Sequence, residues 1–334
     1  MNYPKKVSIG DITIRDGFQH EEKYINPEAK IWLAEQLILS GFKKIEVTNF
    51  GNPKGMPQFK DADQVMKGIK NSKKISELIN DVELTCVTIR ERAIERAIEA
   101  KKEGWGPDRI LLMVSTSEAH HKKNSGLSLN DYWKMSEEYI KKANDVGIKV
   151  NGTVSTIWGC PIAGPTDPKK AIEFSKRWLD IGAFDVEHAD HDGSASPDRV
   201  YNYYSMLLDA IPDTSKHIVH FHTTRGWGLA NVLAALQAGM TQFESTMGGI
   251  GGQPANFVDG VPVSGTGSYY YKDPSAVGLV TTEDMLVMMD EMGIDTGIDI
   301  DRILKTGNMV EKIIGRRLRS ETIKMGRIPK DLKF

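Results

Sequence analysis

Short runs rich in β-branched residues alternate with longer helical patterns about eight times along this chain, and that alternation constrains the fold more than any other feature. Strand-like runs fall at 7–14, 44–50, 82–89, 109–116, 149–156, 184–190, 217–223 and 240–247. Helical stretches at 27–40, 90–102, 130–146, 168–181, 197–210 and 226–238 lie between them. Asn26 before Pro27, Asn130, and Asp167 before Pro168 have the chemistry of N-caps, while Gly41, Gly147, Gly182 and Gly239 fall just past helix ends. Strand then helix, repeated with no linker-like break, predicts an α/β chain closed as a parallel (β/α)8 TIM barrel.

Such a barrel needs about 250 residues and leaves roughly 80 of this chain over. The surplus gathers in residues 248–280, a glycine-rich loop after the eighth strand, and in the tail from 300 to 334. We expect one catalytic barrel domain over 1–299 and a short helical C-terminal extension over 300–334 packed on it. A loop of that length without periodicity is more often functional than idle. Gly248-Gly249-Ile250-Gly251-Gly252 lacks the spacing of a dinucleotide-binding turn, and no Gly-Lys-Ser/Thr follows to cradle a phosphate.

Composition excludes several partners. A net charge of −2 argues against a general nucleic-acid surface, and the ordinary hydrophobic content of 40% argues against membrane spans. Two cysteines, Cys86 and Cys160, cannot staple a chain this long, which points to a reducing compartment. The first residues, Met1 to Val7, carry neither a signal-peptide core nor a transit pattern, so a cytoplasmic location is expected.

Chemistry in a barrel gathers at the C-terminal ends of strands. Val219-His220-Phe221-His222 closes the seventh strand, and residues two apart share a face, so His220 and His222 can converge on one divalent cation. Arg15-Asp16-Gly17 ends the first strand. Asp16 supplies a hard oxygen ligand, and Arg15 a fixed cation for a developing oxyanion. Glu46 is a charge in an otherwise apolar strand, costly unless it faces a polar site, where it could orient Arg15. In Glu187-His188-Ala189-Asp190, parity leaves open whether Glu187 or Asp190 points inward. Either could act as acid or base or hold a histidine ligand in its tautomer, and Asp190 is carried forward as the catalytic candidate. The run His120-His121-Lys122-Lys123-Asn124, read as a loop after the fourth strand, offers cations to an acidic substrate or is simply solvated, as charge runs in loops usually are.

With these residues in place the chain resembles the 3-hydroxy-3-methylglutaryl-CoA lyase family, within the wider group of divalent-metal lyases and condensing enzymes on one barrel. The similar stretches run from Ile14-Arg15-Asp16-Gly17-Phe18-Gln19 through Ile45-Glu46-Val47-Thr48-Asn49-Phe50, Pro53-Lys54-Gly55-Met56-Pro57-Gln58 and His220-Phe221-His222 to Thr282-Glu283-Asp284. The resemblance implies Asp16, His220 and His222 as metal ligands, Arg15 as the enolate-stabilising cation and Glu46 as its support. It further implies a divalent cation (Mg²⁺, Mn²⁺, Co²⁺ or Zn²⁺) and cleavage of a β-hydroxy acyl-CoA or related hydroxy acid into a ketone and a thioester enolate. The alternatives are a condensing acyl-CoA/keto-acid synthase on the same barrel and a metal-binding barrel without lyase activity. Expected partners are a small-molecule substrate of the acyl-CoA type and a second copy of the chain in a homo-oligomer, a dimer. Neither nucleic acid nor membrane is expected.

Two departures from the family pattern fall in the long loop. Where the family has a cysteine that moves a proton, this chain has Gln253, which has no titratable proton. Where the family has an asparagine ligand shortly before Thr-Glu-Asp, this chain has Leu279, which cannot ligate. Asn256 and Asp259 are alternative ligands, and Tyr269-Tyr270-Tyr271-Lys272 offers a substitute proton donor. From 316 onward the tail carries seven basic residues against Glu321 and Asp331, suited to coenzyme A phosphates, to a second subunit or simply to solvent.

Overall fold

Eight parallel strands bond in sequence order and close on themselves: β1 (Ser8–Asp11), β2 (Lys44–Asn49), β3 (Glu83–Val87), β4 (Arg109–Ser115), β5 (Lys149–Ser155), β6 (Asp185–Asp190), β7 (His217–Phe221) and β8 (Gln242–Ser245), with β8 returning to β1. The computed structural model describes residues 3–19, 21–160, 162–191, 193–252, 256–258, 261–263 and 278–329. Helices ring the barrel: α1 (Pro27–Leu39), α2 (Ala62–Lys70), α3 (Glu91–Lys102), α4 (Glu118–Ser125), α5 (Leu129–Asp145), α6 (Pro168–Asp180), α7 (Pro197–Ala210) and α8 (Gly228–Ala238). Within the long loop, β9 (Asn256–Val258) and β10 (Val261–Val263) pair antiparallel. Then follow α9 (Thr282–Glu291), α10 (Ile300–Ile314) and α11 (Glu321–Met325).

The capping chemistry sets the helix starts. Asn26 Oδ1 accepts from the Ala29 amide at 2.8 Å and Asp167 from Lys169 at 2.9 Å. At α5 the cap is Ser128 rather than Asn130: Ser128 Oγ accepts from the Asp131 amide at 3.1 Å, which leaves Asn130 inside the first turn. The His120-His121 run is not a solvated loop. It forms α4, with both imidazoles buried, His120 edge-on to His191 and His121 edge-on to Tyr132.

The largest departure from the strand pattern is at β1. Ile12-Thr13-Ile14 has strand-like composition, yet the chain leaves the sheet at Asp11 and makes a π-helical turn over Thr13–Gly17. The buried Asp11 carboxylate captures the Thr13 amide at 2.9 Å, and Thr13 Oγ1 accepts from the Met247 amide at 2.8 Å. These side-chain bonds replace the ladder and swing Arg15 and Asp16 over the C-terminal mouth.

Apolar side chains fill the layer between barrel and helices, while the barrel interior holds charge. Arg109 binds Glu83 and Asp185, and Asn151 Nδ2 donates to Asp185 at 2.8 Å. A cavity of about 10 Å³, the volume of one water, lies among Lys44, Glu46, Arg109, Asn151, Glu187 and Glu244. Behind the sheet, a chain of bonds ties β6 and β7 to α7: Tyr203 hydroxyl to His188 Nδ1 (2.8 Å), His188 Nε2 to His217 Nδ1 (3.0 Å), and His217 Nε2 to the Ile211 carbonyl (3.0 Å). Because a carbonyl only accepts, every proton in this chain has one position, and both rings are neutral; burial pushes their basicity down.

The C-terminal segment is fastened to the long loop. Glu283 accepts from the Gly248 amide at 2.7 Å, and the Gly248 carbonyl accepts from the Arg319 amide at 3.1 Å. Asp284 accepts from Ser320 Oγ at 2.7 Å and from the Thr322 amide at 2.9 Å. Basic residues of the tail also serve as internal ties: Arg316 pairs with Glu21, and Arg327 with Asp290 and Asp301. Among the described residues no helix is long and apolar enough to cross a membrane.

Candidate metal centre

Asp16 arrives from the turn after β1 and His220 and His222 from the end of β7, and their ligating atoms lie within 4.8 Å of one another. All three are buried. The two Nε2 atoms are 3.3 Å apart. Two imidazole nitrogens about 2.0–2.1 Å from one tetrahedral ion stand about 3.3–3.4 Å apart. The spacing and the mixed nitrogen and carboxylate donors therefore fit a borderline divalent cation.

Arg15 lies beside these ligands. Its Nη2 is 3.5 Å from Asp16 Oδ2, its Nη1 donates to Gln19 Oε1 at 3.4 Å, and its Nε is held by Glu46. Arg15 and Glu46 thus form a direct ion pair. Burial pushes the Glu46 carboxyl up to about 7 against the lowering pull of Arg15. Burial likewise opposes charge on His220, but Glu187, Glu244 and Asp16 prevail and lift the ring to about 9. Without an ion His220 therefore carries a proton at neutral pH, which a cation must displace. His191, 5.1 Å ring to ring from His120 and 5.9 Å from His222, is driven the other way, by burial and then by its imidazole neighbours, and is neutral.

The parity question on β6 resolves by register. Asp185 and Glu187 point into the barrel, where Asp185 meets Arg109 and Glu187 stands 3.5 Å from His220 Nδ1. Asp190, the candidate acid or base, is buried at the end of β6 and held by backbone amides. Its two oxygens accept from the Ser194 and Ala195 amides at 3.1 Å each, and its carbonyl accepts from the His222 amide at 3.3 Å. That is the geometry of a residue that positions the loop into α7 and the end of β7. Glu244, on β8 and 3.4 Å from His220 Nδ1, was missed. The alternation of Gln242 and Glu244 with Phe243 is the signal that could have found it.

Leu279 lies where a fourth ligand was sought, bridged by its backbone to His222 and wholly buried. Its side chain is apolar and offers no ligand atom. Gln253, Asp259, Tyr269, Tyr270, Tyr271 and Lys272 lie outside the described residues, and Asn256 is described by its backbone alone.

Comparison with known proteins follows this geometry. The chain matches the family model described as HMGL-like over residues 6–310. It is 30% identical to a hydroxymethylglutaryl-CoA lyase of Bacillus subtilis, over 97% of this chain and 99% of that one. It is also 30% identical to the mitochondrial hydroxymethylglutaryl-CoA lyase of Homo sapiens, over 95% and 89%. Among solved structures, an HMG-CoA lyase from Acinetobacter baumannii in complex with coenzyme A and 3-methylmalate superposes with a TM-score of 0.83 at 28% identity, covering 100% of this chain and 99% of that one. The carboxyl transferase domain of Rhizobium etli pyruvate carboxylase, at 14% identity and a TM-score of 0.64 over 92% of this chain and 47% of that one, shares the fold. With a family model matched over nearly the whole barrel and relatives at 30% identity covered almost end to end, the chain belongs to the HMGL-like family.

Proposed function

We propose that this protein is a divalent-metal-dependent carbon–carbon lyase that cleaves a β-hydroxy acyl-CoA, or a closely related hydroxy acid, between its α and β carbons. One observation carries this reading: Asp16, His220 and His222 converge beneath a guanidinium, Arg15, that a buried glutamate holds in place. Asp16, His220 and His222 would hold the cation, which supplies Lewis-acid polarisation of the substrate's hydroxyl and carboxylate oxygens.

The residues of the chain do the rest. Transfer of the hydroxyl proton to a base lets that oxygen form a carbonyl as the α–β bond breaks, and the bond's electron pair passes into the thioester to give an enolate. Arg15 faces the charge that develops on the enolate oxygen, and because Glu46 fixes its Nε, little reorganisation is needed at that moment. Asp190 serves one step back, placing His222 and the loop into α7. Protonation of the enolate carbon falls to a group other than residue 253, since glutamine cannot supply it.

The full-length relatives named as hydroxymethylglutaryl-CoA lyases, and the relative bound to coenzyme A and 3-methylmalate, support an acyl-CoA or branched hydroxy-acid substrate. The deciding experiment loads the protein separately with Mg²⁺, Mn²⁺, Co²⁺ and Zn²⁺ and screens β-hydroxy acyl-CoAs for cleavage, and acyl-CoA plus 2-keto acid pairs for condensation. Metal-dependent cleavage products are expected. Condensation alone would make the protein a synthase, and silence across the panel with metal bound would make it a binder.

A further inference from the structure

Below the three candidate ligands the barrel holds two carboxylates that the reaction above does not use. Glu187, on β6, and Glu244, on β8, approach the same nitrogen from the two strands that flank β7: His220 Nδ1 is 3.5 Å from Glu187 Oε1 and 3.4 Å from Glu244 Oε2. The opposite nitrogen, Nε2, faces His222. We propose that Glu244, backed by Glu187, is the positioning residue that keeps the proton of His220 on Nδ1, so that the Nε2 lone pair is always presented to the cation site.

A ring whose Nε2 lone pair is given to a cation keeps its single proton on Nδ1, and the nearest acceptors there are Glu244 Oε2 at 3.4 Å and Glu187 Oε1 at 3.5 Å. The alternative tautomer would put an N–H into the ligand set and leave Nδ1 with no proton to offer Glu244. The site is built for this: Glu187 is 4% exposed and His220 4%, and the cavity lined by both carboxylates is water-sized. Relaxation of the ring away from either glutamate is therefore small. A carboxylate behind a ligating histidine also raises the ring's donor strength, and loss of such a partner typically costs about 10- to 100-fold in metal affinity.

A rival occupant of the same place is a second cation held by Glu187, His220 Nδ1 and Glu244. Charge argues against it, since one imidazole would have to give up both its protons to bridge two ions.

The inference rests on the metal-site reading of Asp16, His220 and His222, but its readout is metal affinity and needs no substrate, so it can fail while lyase activity stands. Calorimetric titration of the metal-stripped full chain with Zn²⁺ should give one ion per chain. Glu244→Gln, whose amide can turn its NH₂ to Nδ1, should weaken binding about 10- to 100-fold. Glu187→Gln should weaken it less, and the double variant at least as much as Glu244→Gln. Long-range ¹⁵N spectra should place the His220 proton on Nδ1 in the zinc-loaded wild type. Thermal unfolding of the metal-free variants should match wild type, which separates loss of ligand alignment from loss of fold. Wild-type affinity in both Glu244→Gln and Glu244→Ala would overturn the proposal. So would two ions per chain, or a proton found on Nε2.

Discussion

Replacing Arg15 with methionine removes the guanidinium while keeping most of the side chain's length and apolar stem. In the structure that cation lies 3.5 Å from Asp16 Oδ2, a candidate ligand atom, and has 14% of its side chain exposed. An enolate oxygen about 4 Å from a unit charge at an effective dielectric of about 20 gains about 4 kcal/mol, or about 10³-fold in rate. We therefore expect Arg15→Met, saturated with metal, to lose about 10³-fold in kcat with a much smaller change in KM, because the charge is fully developed only as the bond breaks. Metal affinity measured on the same sample shows whether Asp16 has moved. The stability cost has its own pH signature. Breaking a buried ion pair costs about 3–5 kcal/mol when the survivor stays charged, but Glu46, raised by burial to about 7, can take up a proton instead. A carboxyl whose folded-state pKa is raised contributes stability that is complete below its ordinary value of 4.5 and is lost as pH climbs through the folded value. Without Arg15 the folded value rises further. The variant should therefore unfold near the wild-type temperature at pH 5–6 and fall progressively below it toward pH 9. A kcat within tenfold of wild type, with metal bound, would refute the assignment of Arg15 to the enolate.

Three further outcomes are expected. Leu279→Asn places an amide oxygen against the ligands and should tighten divalent-ion binding about tenfold, the equivalent of about 1.4 kcal/mol, by calorimetry. Gln253→Cys should raise cleavage of 3-hydroxy-3-methylglutaryl-CoA by about 10²- to 10⁴-fold if a missing proton donor is what limits the wild type, and an unchanged rate would point to a different substrate. Glu283, raised by burial to about 8, is protonated in the fold at neutral pH, so its contribution is lost as pH rises from its ordinary 4.5 through 8. Glu283→Gln should flatten the decline of Tm across that window.

The barrel was legible because each strand and helix repeats a local rule: β-branched runs, then 3.6-residue periodicity, then a glycine stop. The candidate metal ligands were legible for a related reason, since Asp16 follows the first strand and the His220/His222 pair closes the seventh whatever the exact boundary. Where one residue's boundary mattered, legibility failed. Whether Glu187 or Asp190 faces inward depends on the register of β6 against β5 and β7, which no local pattern in Asp185–Asp190 reveals. The π turn at Thr13–Gly17 was hidden because Asp11 and Met247, far apart in sequence, together draw the chain off the sheet. Buried His120 and His121 resembled surface because their partners, His191 and Tyr132, come from other elements.

Gly248 is gripped on both faces of its peptide backbone, its amide by Glu283 and its carbonyl by Arg319. The root of the rim beside Asp16 and His222 is therefore tethered to the last helical turns of the chain. A tag fused close behind residue 322, or a proteolytic nick between α10 and α11, would act as a remote lever on metal retention while touching none of the ligands, so preparations should be compared only when their C-termini are alike.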